Sequence, residues 1–130
     1  MLIVTIRTDN PEAELGLYDD NKQLAYYTWQ AHRELAETLH RKLAELLQSN
    51  GKMLKDIQGI AVFQGPGSFT GLRIGITVAN ALAYSLQVPI IAKEDPNWLE
   101  RAIKDLLAGK SDEIALPEYG ALPHITPQKK

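Results

Sequence analysis

Apolar and polar positions along the 130-residue chain predict five strands and three helices. Residues 2–8 (LIVTIRT) are rich in β-branched side chains and predict a first strand. Asp9-Asn10-Pro11 is a turn signal, and residues 13–18 predict a second strand. Asp19-Asp20-Asn21-Lys22 predicts another turn, with a third strand over 23–29. Three strands joined by short polar turns imply an antiparallel meander. Helical spacing then takes over. Leu35, Ala36, Leu39, Leu43, Leu46 and Leu47 recur at i, i+3/i+4 across 31–50, while Glu34, Glu37, Arg41, Lys42 and Glu45 mark the wet side. Gly51 stops this helix. Residues 57–63 predict a fourth strand, parallel to the first because a helix precedes it. A second helix over 72–86 and a short fifth strand over 88–92 follow. Asp95 as N-cap and Pro96 at the first helical position open a third helix that runs to Leu107. Residues 111–130 hold Pro117, Pro123, Pro127 and Gly120, which predicts an extended tail.

Between the fourth strand and the second helix lies QGPGSFTGLRIG, with Gly65, Gly67, Gly71 and Gly75 inside eleven residues and Pro66 between the first two. Glycine permits a sharp strand-to-helix turn and close backbone approach. Ser68 or Thr70 is placed to cap the helix. Free amides at a positive helix end make an anion site possible. The spacing is neither a P-loop, since no Lys-Ser or Lys-Thr closes it, nor a dinucleotide fingerprint, since Thr70 stands where the last glycine is needed. A tight connector and a phosphate cradle both remain open at this point.

The second helix carries three stripes at i, i+4 spacing: Gly75-Ala79-Ala83, Ile74-Val78-Leu82 and Thr77-Ala81-Ser85. It is nearly free of charge after Arg73, so little of it is suited to water. One stripe must face the sheet; another is left for a partner or for cover by the third helix or the tail. Small side chains let a second helix approach closely. A glutamate at Val78 or at Ala79 is expected to abolish pairing in one case and damage the core in the other.

Composition narrows the chemistry. A net charge of −2 gives no bulk electrostatic case for direct nucleic-acid binding. The absence of cysteine excludes thiol chemistry and thiolate metal sites, and fits a reducing cytosol. The N-terminal apolar run lacks a basic n-region, and no run is long enough to span a membrane. His32 and His40 stand eight apart on the first helix, too far for an i, i+4 metal pair, and His124 is alone in the tail. No local G-x-S-x-G elbow supports a serine nucleophile.

The string GPGSFTGLRIG (Gly65, Pro66, Gly67, Ser68, Phe69, Thr70, Gly71, Leu72, Arg73, Gly75) resembles the signature of the TsaB (YeaZ) family. These are partner subunits of the machinery that makes N6-threonylcarbamoyladenosine in tRNA. The resemblance covers residues 1–92 and returns at Leu116-Pro117-Glu118-Tyr119. It implies an α/β fold: a single ribonuclease-H-like domain of the actin/sugar-kinase superfamily, βββαβαβ with a mixed sheet, followed by a short C-terminal helix and an extended tail. The division it implies is 1–92 for that domain and 93–130 for a remnant helix and Pro-rich tail, in a minimised form without most of the family's second domain.

The resemblance also implies a role. At the end of strand one, family members show Asp-Thr-Ser, where the superfamily holds a metal ion through water; here Arg7 replaces the Asp and inverts the charge. The implied function is a non-catalytic scaffold without a catalytic or metal-ligating residue. It pairs as a heterodimer with a TsaD-like subunit that carries ATP and metal, and this chain binds no cofactor alone. Carried over by position, the interface comprises Leu35, Leu39, Leu43, Arg73, Ile76, Ala79, Asn80, Ala83 and Tyr84. A homodimer through the same helices, a TsaE-like ATPase as a further partner, indirect contact with tRNA, no membrane and a cytoplasmic location complete the expectation. The alternatives are a small phosphate- or nucleotide-binding enzyme using the loop from Gly65 to Gly75, or a self-associating structural domain.

Overall fold

The computed structural model describes residues 1–117, without the side chains of His32 and Phe69. Strand β1 (Leu2–Arg7) sits at the centre of a five-stranded sheet of order β3-β2-β1-β4-β5. β2 (Glu12–Asp19) and β3 (Lys22–Gln30) continue antiparallel on one side. β4 (Gly59–Phe63) and β5 (Ile90–Lys93) run parallel to β1 on the other. The parallel strands need crossovers, which are supplied by α1 (Leu35–Ser49) and α2 (Phe69–Leu86). Both helices lie on one face, and α3 (Trp98–Leu107) lies on the other.

Alternation along the strands divides the core accordingly. Val4, Ile6, Leu15, Leu17, Ile60, Val62 and Ile90 face α1 and α2. Ile3, Ala61, Phe63 and Ile91 face α3, where Phe63 meets Trp98 edge-on at 5.6 Å. Leu39 and Leu46 are fully buried, and each such leucine stabilises the fold by about 1.5–3 kcal/mol.

All three helix starts differ from the sequence reading, α2 beginning at Phe69 rather than at 72. α1 begins at Leu35, after a 3-10 turn over His32–Glu34. The third helix begins at Trp98 with Asn97, in the left-handed region at φ 56°, as its N-cap. Asp95 is therefore not the cap. Its carboxylate turns to Arg7 instead, at 3.4 Å.

The outer edge of β5 is covered by the chain itself. Asp112 donates its N–H to the Ile90 carbonyl, while Ser111 Oγ accepts from Ile90 N–H and Asp112 Oδ2 from Ala92 N–H. Asn80 of α2 clamps this strap: its amide donates to the Ala115 carbonyl at 3.0 Å and accepts from Ala115 N–H at 2.8 Å. Asn80→Ala leaves both Ala115 groups without these partners, which costs about 1–3 kcal/mol locally. Hydrogen exchange at the Ile90 and Ala92 amides is expected to quicken at least about tenfold, the sheet centre staying protected. Unchanged exchange at both amides shows that the clamp does not hold the strap.

On the α3 side, β2 and β3 carry two tyrosines over Gly16. A Cβ there would meet Thr5 Oγ1 and would lie 2.9 Å from both the Tyr18 and Tyr26 rings. The Tyr26 hydroxyl donates to the Glu14 carboxylate in a short hydrogen bond. Burial, then that bond, pushes the Tyr26 phenol well above its ordinary value. A raised folded pKa gives stability that is complete below the free phenol value of about 10 and lost as pH rises above it. In an absorbance titration at high pH, Tyr26 is expected to resist ionisation until the chain unfolds. Tyr26→Phe should flatten the alkaline limb of stability; an equally steep limb would remove Tyr26 as its cause.

Candidate functional site

The end of β1 meets the glycine loop at the α2 N-terminus, where the superfamily likeness places its nucleotide chemistry. Here the residues are engaged with one another. Arg7 Nε donates to Asp9 Oδ1 at 2.8 Å and its terminal nitrogen to Asp9 Oδ2 at 3.1 Å. The guanidinium lies 3.9 Å over the Phe63 ring. Hydrogen bonding to Asp9, with further attraction from Asp9, Asp95 and Glu14, raises the Arg7 pKa against the opposing effect of burial. Asp9, the nearest carboxylate that could replace the missing one, is thus held in a bidentate pair. A divalent cation does not fit a donor set with a guanidinium at its centre. Among the described residues no group of three or more His, Asp or Glu is placed to hold a metal.

The glycines serve close packing. A Cβ at Gly71 would collide with the Thr8 carbonyl, one at Gly75 with Thr8 Oγ1, and one at Gly67 with Asp9. The Thr8 hydroxyl donates to the Gly71 carbonyl at 2.7 Å, and Ser68 N–H donates to the Asp9 carbonyl at 2.8 Å. Ser68 occupies the N-cap position of α2 without a side-chain cap bond, so the hydroxyl cap expected of it is absent. The loop is a connector seated on the end of β1, and the Ser68 amide, one of those a cradle would offer to phosphate, is already taken.

The second surface is the outer side of α1 and α2. Its three stripes are now assigned. Gly75, Ala79 and Ala83 face the sheet; Thr77, Ala81 and Ser85 face outward; Ile74 and Leu82 are half-buried, with Val78 buried. Val78 and Ala79 are both inside, so a glutamate at either damages the core, and neither separates pairing from folding as the sequence reading expected. Of the carried-over interface residues, Leu35, Leu39, Leu43, Ile76, Ala79 and Ala83 are buried within the chain and present no surface to an outside partner. Their apolar spacing is explained by the sheet beneath them. Arg73 and Tyr84 point outward, Tyr84 being 81% exposed, and Asn80 is half-buried in its clamp on Ala115.

Between the helices runs a groove of about 410 Å³, lined by Ala36, His40, Thr70, Arg73, Thr77 and Val78, with Ile74 at its wall. The α1 side of it, Ala36 and His40, was missed as a site, although their i, i+4 spacing on the flank of the leucine stripe marks them as neighbours. α3 lies on the opposite face of the sheet and so does not cover this groove. Glu118, Tyr119 and His124 lie outside the described residues.

The family model "TsaD: tRNA N6-adenosine threonylcarbamoyltransferase" matches residues 29–94, from the end of β3 through α1, the glycine loop and α2 to just past β5. A tRNA N6-adenosine threonylcarbamoyltransferase of Geotalea uraniireducens is 39% identical over 98 residues, which is 73% of this chain and 28% of that protein. The tRNA threonylcarbamoyladenosine biosynthesis protein TsaB of Escherichia coli is 35% identical over 91 residues, 70% of this chain and 39% of that one. The chain thus spans well under half the length of these curated relatives. Among solved structures, YeaZ from Pseudomonas aeruginosa superposes with a TM-score of 0.67 at 31% identity, over 72% of this chain and 44% of that one. Thermus thermophilus RuvC shares the fold alone, at 12% identity with a TM-score of 0.53, over 92% of this chain and 86% of that chain. The mixed five-stranded sheet with helices on both faces is a single ribonuclease-H-like α/β domain, as the sequence resemblance implied. Family model, TsaB relatives and YeaZ superposition agree with the glycine-loop signature, and the chain belongs to the TsaB (YeaZ) family.

Proposed function

We propose that this chain acts in the formation of N6-threonylcarbamoyladenosine in tRNA as a non-catalytic subunit that binds a TsaD-like enzyme through the outer face of α1 and α2. The observation that carries the reading is the outward stripe Thr77-Ala81-Ser85 beside an open groove, on a helix with no charged residue after Arg73. Small outward side chains suit close helix–helix approach, about 8 Å between axes. The pairing of Arg7 with Asp9 supports the non-catalytic part, because it removes the carboxylate that nucleotide chemistry would use. ATP and metal then reside on the partner subunit, a TsaE-like ATPase joins through that partner, and tRNA is reached through the assembly.

Mixing the chain with a TsaD-like protein at micromolar concentration, followed by size exclusion with light scattering, tests the reading. Co-elution at the summed mass is expected. Unchanged elution of both proteins would overturn it.

A further inference from the structure

The two edges of the sheet are treated differently. β5 is shielded by the strap over 111–116, whereas β3 has no backbone partner on its outer side among the described residues. Bare edges in native proteins are ordinarily blunted by charge, proline or a covering element. β3 reads KQLAYYTWQ: its one charge, Lys22, is at the hairpin end, and it holds no proline. None of its residues is fully buried, and Tyr26, Tyr27 and Trp29 are partly buried, Tyr27 and Trp29 against the core. The bulge against β2 sits at the hairpin end, between Leu17 and Tyr18, so the stretch from Ala25 to Gln30 is regular ladder.

We propose that β3 pairs antiparallel with β3 of a second copy of this chain, giving a continuous sheet across a two-fold axis centred on Tyr27. This register is self-complementary. Tyr27 faces Tyr27, Trp29 faces the small Ala25, and Tyr26 faces the β-branched Thr28, each in both directions. Aromatic pairs and aromatic–β-branched pairs are among the favourable cross-strand combinations. Within the paired stretch of β3 no like charges oppose one another, since Lys22 falls beyond it, and the α1 residues beside the axis, Lys42 and Glu45, are of opposite sign. A two-fold axis makes the same patch serve both partners. α1 borders this edge through Lys42, Glu45 and Ser49, whereas the outward stripe of α2 takes no part, so a change at Ala81 separates this dimer from the enzyme pairing proposed above.

The chain has no cysteine, so one introduced residue reports without background. Tyr27→Cys places two thiols directly across the axis, within the Cα separation a disulfide accepts. Under mild oxidation it is expected to form a disulfide dimer rapidly, while Gln48→Cys, exposed on α1, does not. Light scattering of the parent chain should show a concentration-dependent doubling of mass. Thr28→Glu, at an exposed position, should raise the dissociation constant at least about tenfold, because the added charge acts twice across the axis. Ala81→Glu should leave the dimer unchanged. A parent chain that stays monomeric to millimolar concentration overturns the proposal. So does a dimer that survives Thr28→Glu but dissociates with Ala81→Glu, or outer β3 amides protected from exchange at every dilution.

Discussion

Ala81→Glu is expected to leave the domain folded and to weaken its complex with a TsaD-like enzyme at least about 100-fold, or about 2.7 kcal/mol. Ala81 is exposed at the middle of the outward stripe, one turn from Thr77 and one from Ser85. It borders a surface groove with Tyr84 and the strap residues Glu113 and Ile114, outside the core, and the change in helix propensity from alanine to glutamate is only a few tenths of a kcal/mol. The charge acts only in the complex. There it must be taken out of water against a close helix, which costs several kcal/mol for an unpaired ion. Ala79→Glu, two residues earlier, is the contrasting variant: Ala79 is 0% exposed against the sheet, and a carboxylate there is expected to unfold the protein. Circular dichroism melts and calorimetric titration with the enzyme distinguish the two. A folded Ala81→Glu chain with parental affinity would move the interface away from α2.

The same pair of residues shows how far sequence carries. Periodicity divides α2 into three stripes without the sheet. It does not say which stripe looks inward, because Gly75-Ala79-Ala83 and Thr77-Ala81-Ser85 are both small. The choice is made by Thr8, whose side chain occupies the space above Gly75 and so holds that stripe to the end of β1. On α1 the leucine period was legible, but a period cannot distinguish a core from a partner. The sheet residues Leu15, Leu17 and Ile60 claim those leucines first. Position carried over from relatives therefore named, for six residues, the inner rather than the outer sides of these two helices.

What sequence missed elsewhere is non-local. Asp95 has good cap chemistry for a helix that starts nearby, yet it bonds Arg7, 88 positions away in the chain. The strap along β5 carries no strand pattern, since Ser111 and Asp112 accept with side chains where a strand would use carbonyls. The strands themselves were readable within one or two residues, because β-branched alternation and the turns at Asp9-Asn10 and Asp20-Asn21 are local signals.

Gly71→Ala is expected to lower stability by about 3 kcal/mol and the melting temperature by about 10 °C, the upper range for forcing a methyl group into a filled space. The obstacle is the backbone carbonyl of Thr8, which cannot rotate aside as a side-chain end can. The substitution also disturbs the bond from the Thr8 hydroxyl to the Gly71 carbonyl, worth about 1 kcal/mol, and regains about as much from helix propensity. Gly75→Ala should cost about as much, since its methyl would meet Oγ1, Cβ and Cγ2 of Thr8 together, a β-branched side chain that is itself buried. The decisive comparison adds an anion. If the loop is a connector, millimolar sulfate or ATP with magnesium leaves the melting temperature of the parent chain unchanged, since ligands stabilise only what they bind. A parent chain that melts several degrees higher with phosphate, together with a Gly71→Ala variant that loses only this increment, would make the loop a cradle. The scaffold reading would then fail at its non-catalytic half while the helix face stood untouched.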